Sequence, residues 1–239
     1  MTKKILFFCL MTMSLAAQNI DNQLRLSAAV DYQFAKKWKV ETQYRYGLDH
    51  DFGAFQSCVI QTGITYKLTK KWDIEVGYRF ATAFDHDNHR LFASIKFEHK
   101  FKKQYSISAR TRYQWTTQQF DADFMANFKA PSQYLRERIA FEYNVPKSKW
   151  SFNVGPEFFI RLDKSPIAYH RIRYYVGAKY DLKYGQAIGI TYFFEDRYKA
   201  TQDDRSVWNV NYSLSLDTFL KKLKKGKDKE KKAKKEKAD

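Results

Sequence analysis

The chain has 239 residues, a length shared by one- and two-domain proteins, and all-β barrels of this size fold as single units. An aromatic content of 18%, with 20 Phe and 17 Tyr, suits strands and membrane interfaces, while nine Gly and four Pro exclude collagen-like or low-complexity material. The formal charge of +17 does not point to nucleic acid. Eleven lysines against four acids put +7 into residues 221–239, Lys3 and Lys4 add two, and the remaining +8 is spread singly along the body without a basic helix.

Residues 1–17 predict a secretory signal peptide. Lys3 and Lys4 form a positive start, residues 5–15 an apolar run, and Ser14-Leu15-Ala16-Ala17 a small-residue cleavage zone. The run is shorter than the ~20 residues a spanning helix needs. Cys9 lies inside it, which argues against a lipoprotein anchor, and its removal leaves Cys58 alone with no disulfide partner.

From Leu24 to Leu216 the period is two. Leu24, Leu26, Ala28, Val30, Tyr32 and Phe34 alternate with Gln23, Arg25, Ser27, Ala29, Asp31 and Gln33. Trp38, Val40, Thr42, Tyr44, Tyr46 and Leu48 then face away from Lys39, Glu41, Gln43 and Arg45. After a third segment at 55–68, Trp72, Ile74, Val76, Tyr78 and Phe80 oppose Asp73, Glu75, Gly77 and Arg79. Further segments follow at 90–101, 105–115, 134–145, 150–160, 170–182, 186–196 and 206–217. Most run to about eleven to fourteen residues, where globular strands average about five or six and a tilted bilayer-crossing strand needs about nine to eleven.

The connections alternate in kind. Ala35-Lys36-Lys37, Thr69-Lys70-Lys71, Lys102-Lys103-Gln104, residues 146–149 and Lys183-Tyr184-Gly185 are short; 49–54, 85–89, 116–133, 161–169 and 197–205 are longer and polar. Short periplasmic turns and longer outer loops are the pattern of a transmembrane barrel. A hairpin of about 34 residues also repeats: Lys36-Lys37-Trp38, Tyr44-Arg45-Tyr46 and Asp49-His50-Asp51 are echoed by Lys70-Lys71-Trp72, Tyr78-Arg79-Phe80 and Asp85-His86-Asp87, with a looser copy from Lys147 to Trp150. Trp38, Trp72 and Trp150, each just after a short turn, are expected in a periplasmic aromatic girdle.

The fold class is therefore all-β: a transmembrane antiparallel up-and-down β-barrel over residues 18–220, with a Lys-rich disordered or solvated tail at 221–239. A soluble lipocalin-like barrel would turn its apolar face inward, but here one face is too aromatic and the other too charged for that core. Eleven segments is an odd count, and single-chain bacterial barrels are normally even. The first strand would start on the outer side with only residues 18–21 before it, so ten to twelve strands are expected.

The leader, the Lys-Lys-Trp hairpins, the Tyr-Arg-Tyr strands and the central Tyr134-Leu135-Arg136-Glu137-Arg138 together resemble the uncharacterised outer-membrane barrel family called domain of unknown function 2490. The resemblance covers about residues 20–220. It implies an outer-membrane location and brings no activity or functional residues. The Lys-rich tail lies outside the pattern and moves Phe219 away from the C-terminus.

Three Arg-x-Arg pairs, Arg110 and Arg112, Arg136 and Arg138, Arg171 and Arg173, each share one strand face. They predict a basic stripe in the lumen, with Glu98, Glu142, Glu157 and Glu195 as acidic partners. The stripe reads either as a path for anionic small solutes, since guanidinium forks match carboxylate and phosphate, or as a paired structural network. Enzymatic chemistry is not expected. A membrane acyl hydrolase needs a nucleophile beside an oriented His, and His50, His86, His89, His99 and His170 have no serine motif with them; His99 falls on the apolar face. The Asp-His-Asp tips suggest metal ligands, but adjacent residues of an extended chain point apart, so no metal and no cofactor is expected. The expected role is an outer-membrane barrel of a Gram-negative cell, structural or a narrow porin-like channel with a basic lumen. The alternatives are a lipid-modifying barrel enzyme and a soluble periplasmic binding barrel. The expected partners are outer-membrane lipid and anionic solutes, with tail contact to anionic headgroups or peptidoglycan.

Overall fold

The computed structural model describes residues 20–84, 86–102, 104–118, 131–164, 167–198 and 204–224. The predicted signal peptide, Asp85, most of the loop at 116–133 and residues 225–239 of the tail lie outside these. Eleven strands follow in order: β1 (Ile20–Ala35), β2 (Trp38–Asp49), β3 (Ala54–Lys67), β4 (Trp72–Thr82), β5 (Asp87–Phe101), β6 (Tyr105–Thr117), β7 (Ser132–Asn144), β8 (Trp150–Arg161), β9 (Ala168–Asp181), β10 (Gln186–Arg197) and β11 (Asp204–Ser215). They close into one barrel, each paired with its sequence neighbours.

All sequential pairs are antiparallel, so an odd number can close only if the first and last strands run the same way. β1 and β11 do pair parallel, in register from Ile20↔Asp204 to Asp31↔Ser215. Both begin on the long-loop side, which accounts for the odd count among the described residues. Ser27 Oγ donates to Asn209 Oδ1 at 2.9 Å across this seam. Closure leaves no edge strand and satisfies the backbone internally, the condition for spanning lipid.

The outward faces are apolar and exposed: Ile60, Ile64, Val76, Leu91, Ile139, Val154, Val176, Ile188 and Ile190 are each more than one-third exposed. Trp38, Trp72 and Trp150 open β2, β4 and β8 at the short-turn rim and pack on Tyr66, Phe97 and Tyr180 at centroid distances of 4.7, 4.9 and 5.0 Å. The opposite rim departs from expectation at its first loop. His50, Asp51 and Phe52 all take positive φ, and Gly53 N donates to His50 O, so the Asp-His-Asp tip is a tight turn. It is tied to β1, because His50 N donates to Asp21 Oδ1 and Asn22 Nδ2 donates to Asp51 Oδ1. The last strand also ends early. Residues 216–224 form a helix, α1, preceded by Ser215, whose hydroxyl lies near Asp217 and Thr218. Thr218 sits against Gly185 at the β9–β10 turn, where φ is +76°.

The barrel core is its lumen, and rings enter it, contrary to the expectation that the aromatics face lipid. Phe92, Tyr134, Phe159 and Tyr175 are all buried there. Glycines make room for two of them. A Cβ on Gly77 would fall 2.4 Å from Phe92 Cζ, and one on Gly155 would fall 2.0 Å from Ile139 O and 2.8 Å from Tyr175 Oη. At the second notch the β7–β8 ladder is interrupted between Arg138↔Glu157 and Phe141↔Val154. Pro156 lies in the gap and brings no N–H, and Tyr175 Oη donates to Ile139 O at 2.9 Å in compensation. Gly155→Ala is expected to cost about 1–3 kcal/mol by overpacking, read as a lowered urea midpoint of the refolded barrel. Gly189→Ala, whose Cβ would meet nothing nearer than 3.4 Å, leaves the midpoint near that of the parent.

Candidate functional site: the arginine-lined lumen

The inward positions of the strands enclose a cavity of about 760 Å³. Among the described residues its lining holds eleven arginines and three lysines but only five carboxylates, an excess of nine positive charges. It extends from Lys39, Lys67 and Lys96, nearer the short turns, to Arg90, Arg171 and Arg205, nearer the long loops. A charge taken from water into such a space is tolerated when paired, hydrogen-bonded or left wet, and the two walls of the lumen meet that demand differently.

On the β6–β10 wall two carboxylates do the pairing. Glu157, on β8, lies opposite Arg138 on one side and Arg173 on the other. It accepts from Arg110 Nη2 at 2.9 Å and Arg136 Nη2 at 2.8 Å, with Arg173 Nη1 at 3.7 Å. Glu195, on β10, accepts from Arg173 Nε at 2.5 Å and Arg197 Nε at 3.0 Å, with Arg171 Nε at 3.6 Å. Both carboxylates are buried. The planar guanidiniums also stack on the inward rings. Arg136, Arg171 and Arg173 lie 4.5, 4.2 and 4.6 Å from the Phe159 centroid, and Arg138 lies 4.1 Å from that of Tyr175. Such stacking favours Arg over Lys.

All six arginines of the expected stripe therefore line one cavity. Their partners differ in part from those expected. Glu98 does not line the cavity; it takes Lys96 at 2.7 Å and Lys100 at 3.3 Å. Glu142 sits in register with Ser106 and Asn153, also outside the lining. Glu75 serves Arg112 at 2.7 Å, while Arg112 Nε donates to Ser94 and its guanidinium lies 4.2 Å from the Phe92 centroid. Arg25, Arg45, Arg79, Arg90 and Arg205 line the cavity too, outside the expected stripe, although strict alternation puts the first three on the polar face.

Among the described residues no histidine lines the cavity. His50 bonds to Asp49, which holds its imidazole above the ordinary value. His89 lies 2.6 Å from Tyr78 Oη, His99 packs edge-on to Phe101, and His170 is the bulged residue between Tyr169 and Arg171, against Tyr134. At the long-loop mouth Asp163 accepts from both Arg161 Nε and Nη2 and from Gln133 N. The Arg161 contact, assisted by the backbone donor, pulls the Asp163 carboxyl down to about 2.

The family model described as Protein of unknown function (DUF2490) matches residues 22–206. Among solved structures, a NanC porin in a rhombohedral crystal form is similar, with a TM-score of 0.51 at 12% identity over 81% of this chain and 96% of that one. Another porin aligns with a TM-score of 0.36 at 14% identity, over 73% of this chain and 56% of that one. At 12% identity the likeness to the NanC porin is one of fold. No curated protein matches the sequence.

Two outcomes follow from the geometry. Glu157→Gln strands Arg110 and Arg136 in the lumen, while Arg173 keeps Glu195, and is expected to cost about 3–5 kcal/mol, seen as a lowered urea midpoint. Asp163 has a depressed folded-state value, so its contribution to stability is full above the ordinary value and is lost as pH falls through about 2. Arg161→Gln should move the NMR titration midpoint of Asp163 up toward ~3.9.

Proposed function

The chain belongs to the DUF2490 family of proteins of unknown function, and from its lumen chemistry we propose that it is a narrow porin-like channel of the Gram-negative outer membrane that favours small anionic solutes. The observation that carries this reading is the excess of nine positive charges around one cavity that runs from the short-turn side toward the long loops. A closed barrel with an apolar exterior and a charged interior supports the outer-membrane location, and in that setting the short turns and the Trp38, Trp72 and Trp150 rim face the periplasm. The porin-like fold of the NanC porin points the same way at the level of architecture. Eleven strands lie between the side-chain-filled eight-stranded barrel and the wide 16- to 18-stranded porins, which suits a channel passing small solutes.

The carboxylates and rings of the β6–β10 wall hold the arginine side chains in place, and the charge left over raises the local concentration of anions. No step in this reading needs a nucleophile, a metal or a cofactor. Residues 225–239, with more lysines than acids, extend the basic character beyond the barrel and suit contact with anionic headgroups or peptidoglycan on the periplasmic side. The test is the reversal potential of refolded protein in a planar bilayer across a KCl gradient. Chloride preference is expected, weakening as salt rises and screens the lumen. Cation preference overturns the anion path, and a silent barrel leaves only a structural role.

A further inference from the structure

The ion pairing of the arginines is not spread evenly round the lumen. On the β1–β5 wall Arg25, Arg45, Arg79 and Arg90 have no carboxylate within ion-pair distance among the described residues. Arg25 Nη2 donates to Gln23 Oε1, Arg45 Nη2 to Gln43 Oε1 and Arg90 Nε to Thr116 Oγ1, all neutral acceptors. Arg45 Nε is buried with no hydrogen-bond partner. Arg79 and Arg90 stand directly opposite each other on neighbouring strands, a like-charge pairing that destabilises a sheet unless an anion intervenes. Elsewhere in the lumen this arrangement is compensated: Arg110↔Arg138 and Arg112↔Arg136 are also cross-strand pairs, but Glu157 and Glu75 reach into them.

All four guanidiniums line the cavity with donors to spare, and that of Arg25 also lies 5.3 Å from the Phe193 centroid.

We propose that Arg25, Arg45, Arg79 and Arg90 form an oxyanion-binding site on the channel wall, with Arg79 and Arg90 as its central pair, taking small solutes that carry phosphate or more than one carboxylate. Two forks on adjacent strands engage such a group with paired N–H donors, which a halide cannot match. The Glu157–Glu195 network is then the structural half of the lumen and this wall the recognising half. The inference rests on the channel reading for its biological sense, but its test does not need conductance.

The experiment is calorimetric titration of refolded protein in detergent with inorganic phosphate and with citrate, using choline as a cationic control. Parent protein is expected to bind at least one of the two anions and not choline. R79Q/R90Q should weaken binding about tenfold or more, and R79K/R90K, which keeps the charge but loses the fork, should fall between. Preference for phosphate identifies phosphorylated solutes, and preference for citrate identifies polycarboxylates. Folding of the variants is checked by thermal melting. Removing the repulsive pair should not lower the midpoint, and the bound anion should raise the parent's midpoint but not that of R79Q/R90Q. Equal binding by parent and R79Q/R90Q, or no binding of either anion by the parent, overturns the site. Binding without conductance overturns the channel and leaves the site standing; conductance with unchanged binding in the variant does the reverse.

Discussion

Positive charge confined inside a narrow barrel must find a partner, and two buried carboxylates supply most of it. Glu157 and Glu195 each reach three arginines, and Arg173 touches both, so β6 to β10 are joined by one continuous chain of ion pairs. The faces of Phe159 and Tyr175 take up the flat sides of guanidiniums whose edges the carboxylates hold. This interaction also fixes register. A slip of β8 by one residue would turn Glu157 and Phe159 to lipid and bring Phe158 and Ile160 into the charged interior. Register in turn sets Gly155 beneath Tyr175, where the phenol replaces the donor that Pro156 lacks.

The same constraint explains the asymmetry of the lumen. Buried carboxylates pair the arginines of β6–β10, whereas Arg25, Arg45 and Arg90 donate only to amides and a hydroxyl. A barrel built only for stability gains nothing from Arg79 facing Arg90, since like charges opposed across a ladder cost stability and an apolar pair would remove that cost. Retaining them makes sense where the interior is wet and an anion passes. On the channel reading, the charged network links packing to permeation: it is the scaffold on one side and leaves the selective surface on the other.

Much of this was legible in the chain because a period of two is a local signal. All eleven strands, both kinds of connection and the three Trp positions follow from alternation and turn residues. What alternation does not carry is the identity of non-neighbours. The parallel β1–β11 seam joins residues such as Ser27 and Asn209 at opposite ends of the sequence, and only the odd strand count hinted at it. Doublets such as Phe158-Phe159 and Phe193-Phe194 place one ring on each face, and the flanking Glu157 and Glu195 fix the parity. Glu98 resembled Glu157 as an inward acid, but its neighbours two positions either side, Lys96 and Lys100, claim it locally. The first Asp-His-Asp tip was unreadable for another reason: three successive positive φ angles at non-glycine residues have no sequence signature.

The central claim is one of sidedness, with arginines to a wet lumen and the alternating apolar residues to lipid. Neighbouring positions on β4 test it most directly. In a Cys58→Ser background reconstituted in liposomes, Arg79→Cys and Tyr78→Cys differ by one residue and should face opposite media. Membrane-impermeant thiosulfonates are expected to modify Arg79→Cys, the anionic reagent faster than the cationic one, and to leave Tyr78→Cys unmodified. Modification of Tyr78→Cys with protection of Arg79→Cys would contradict the account.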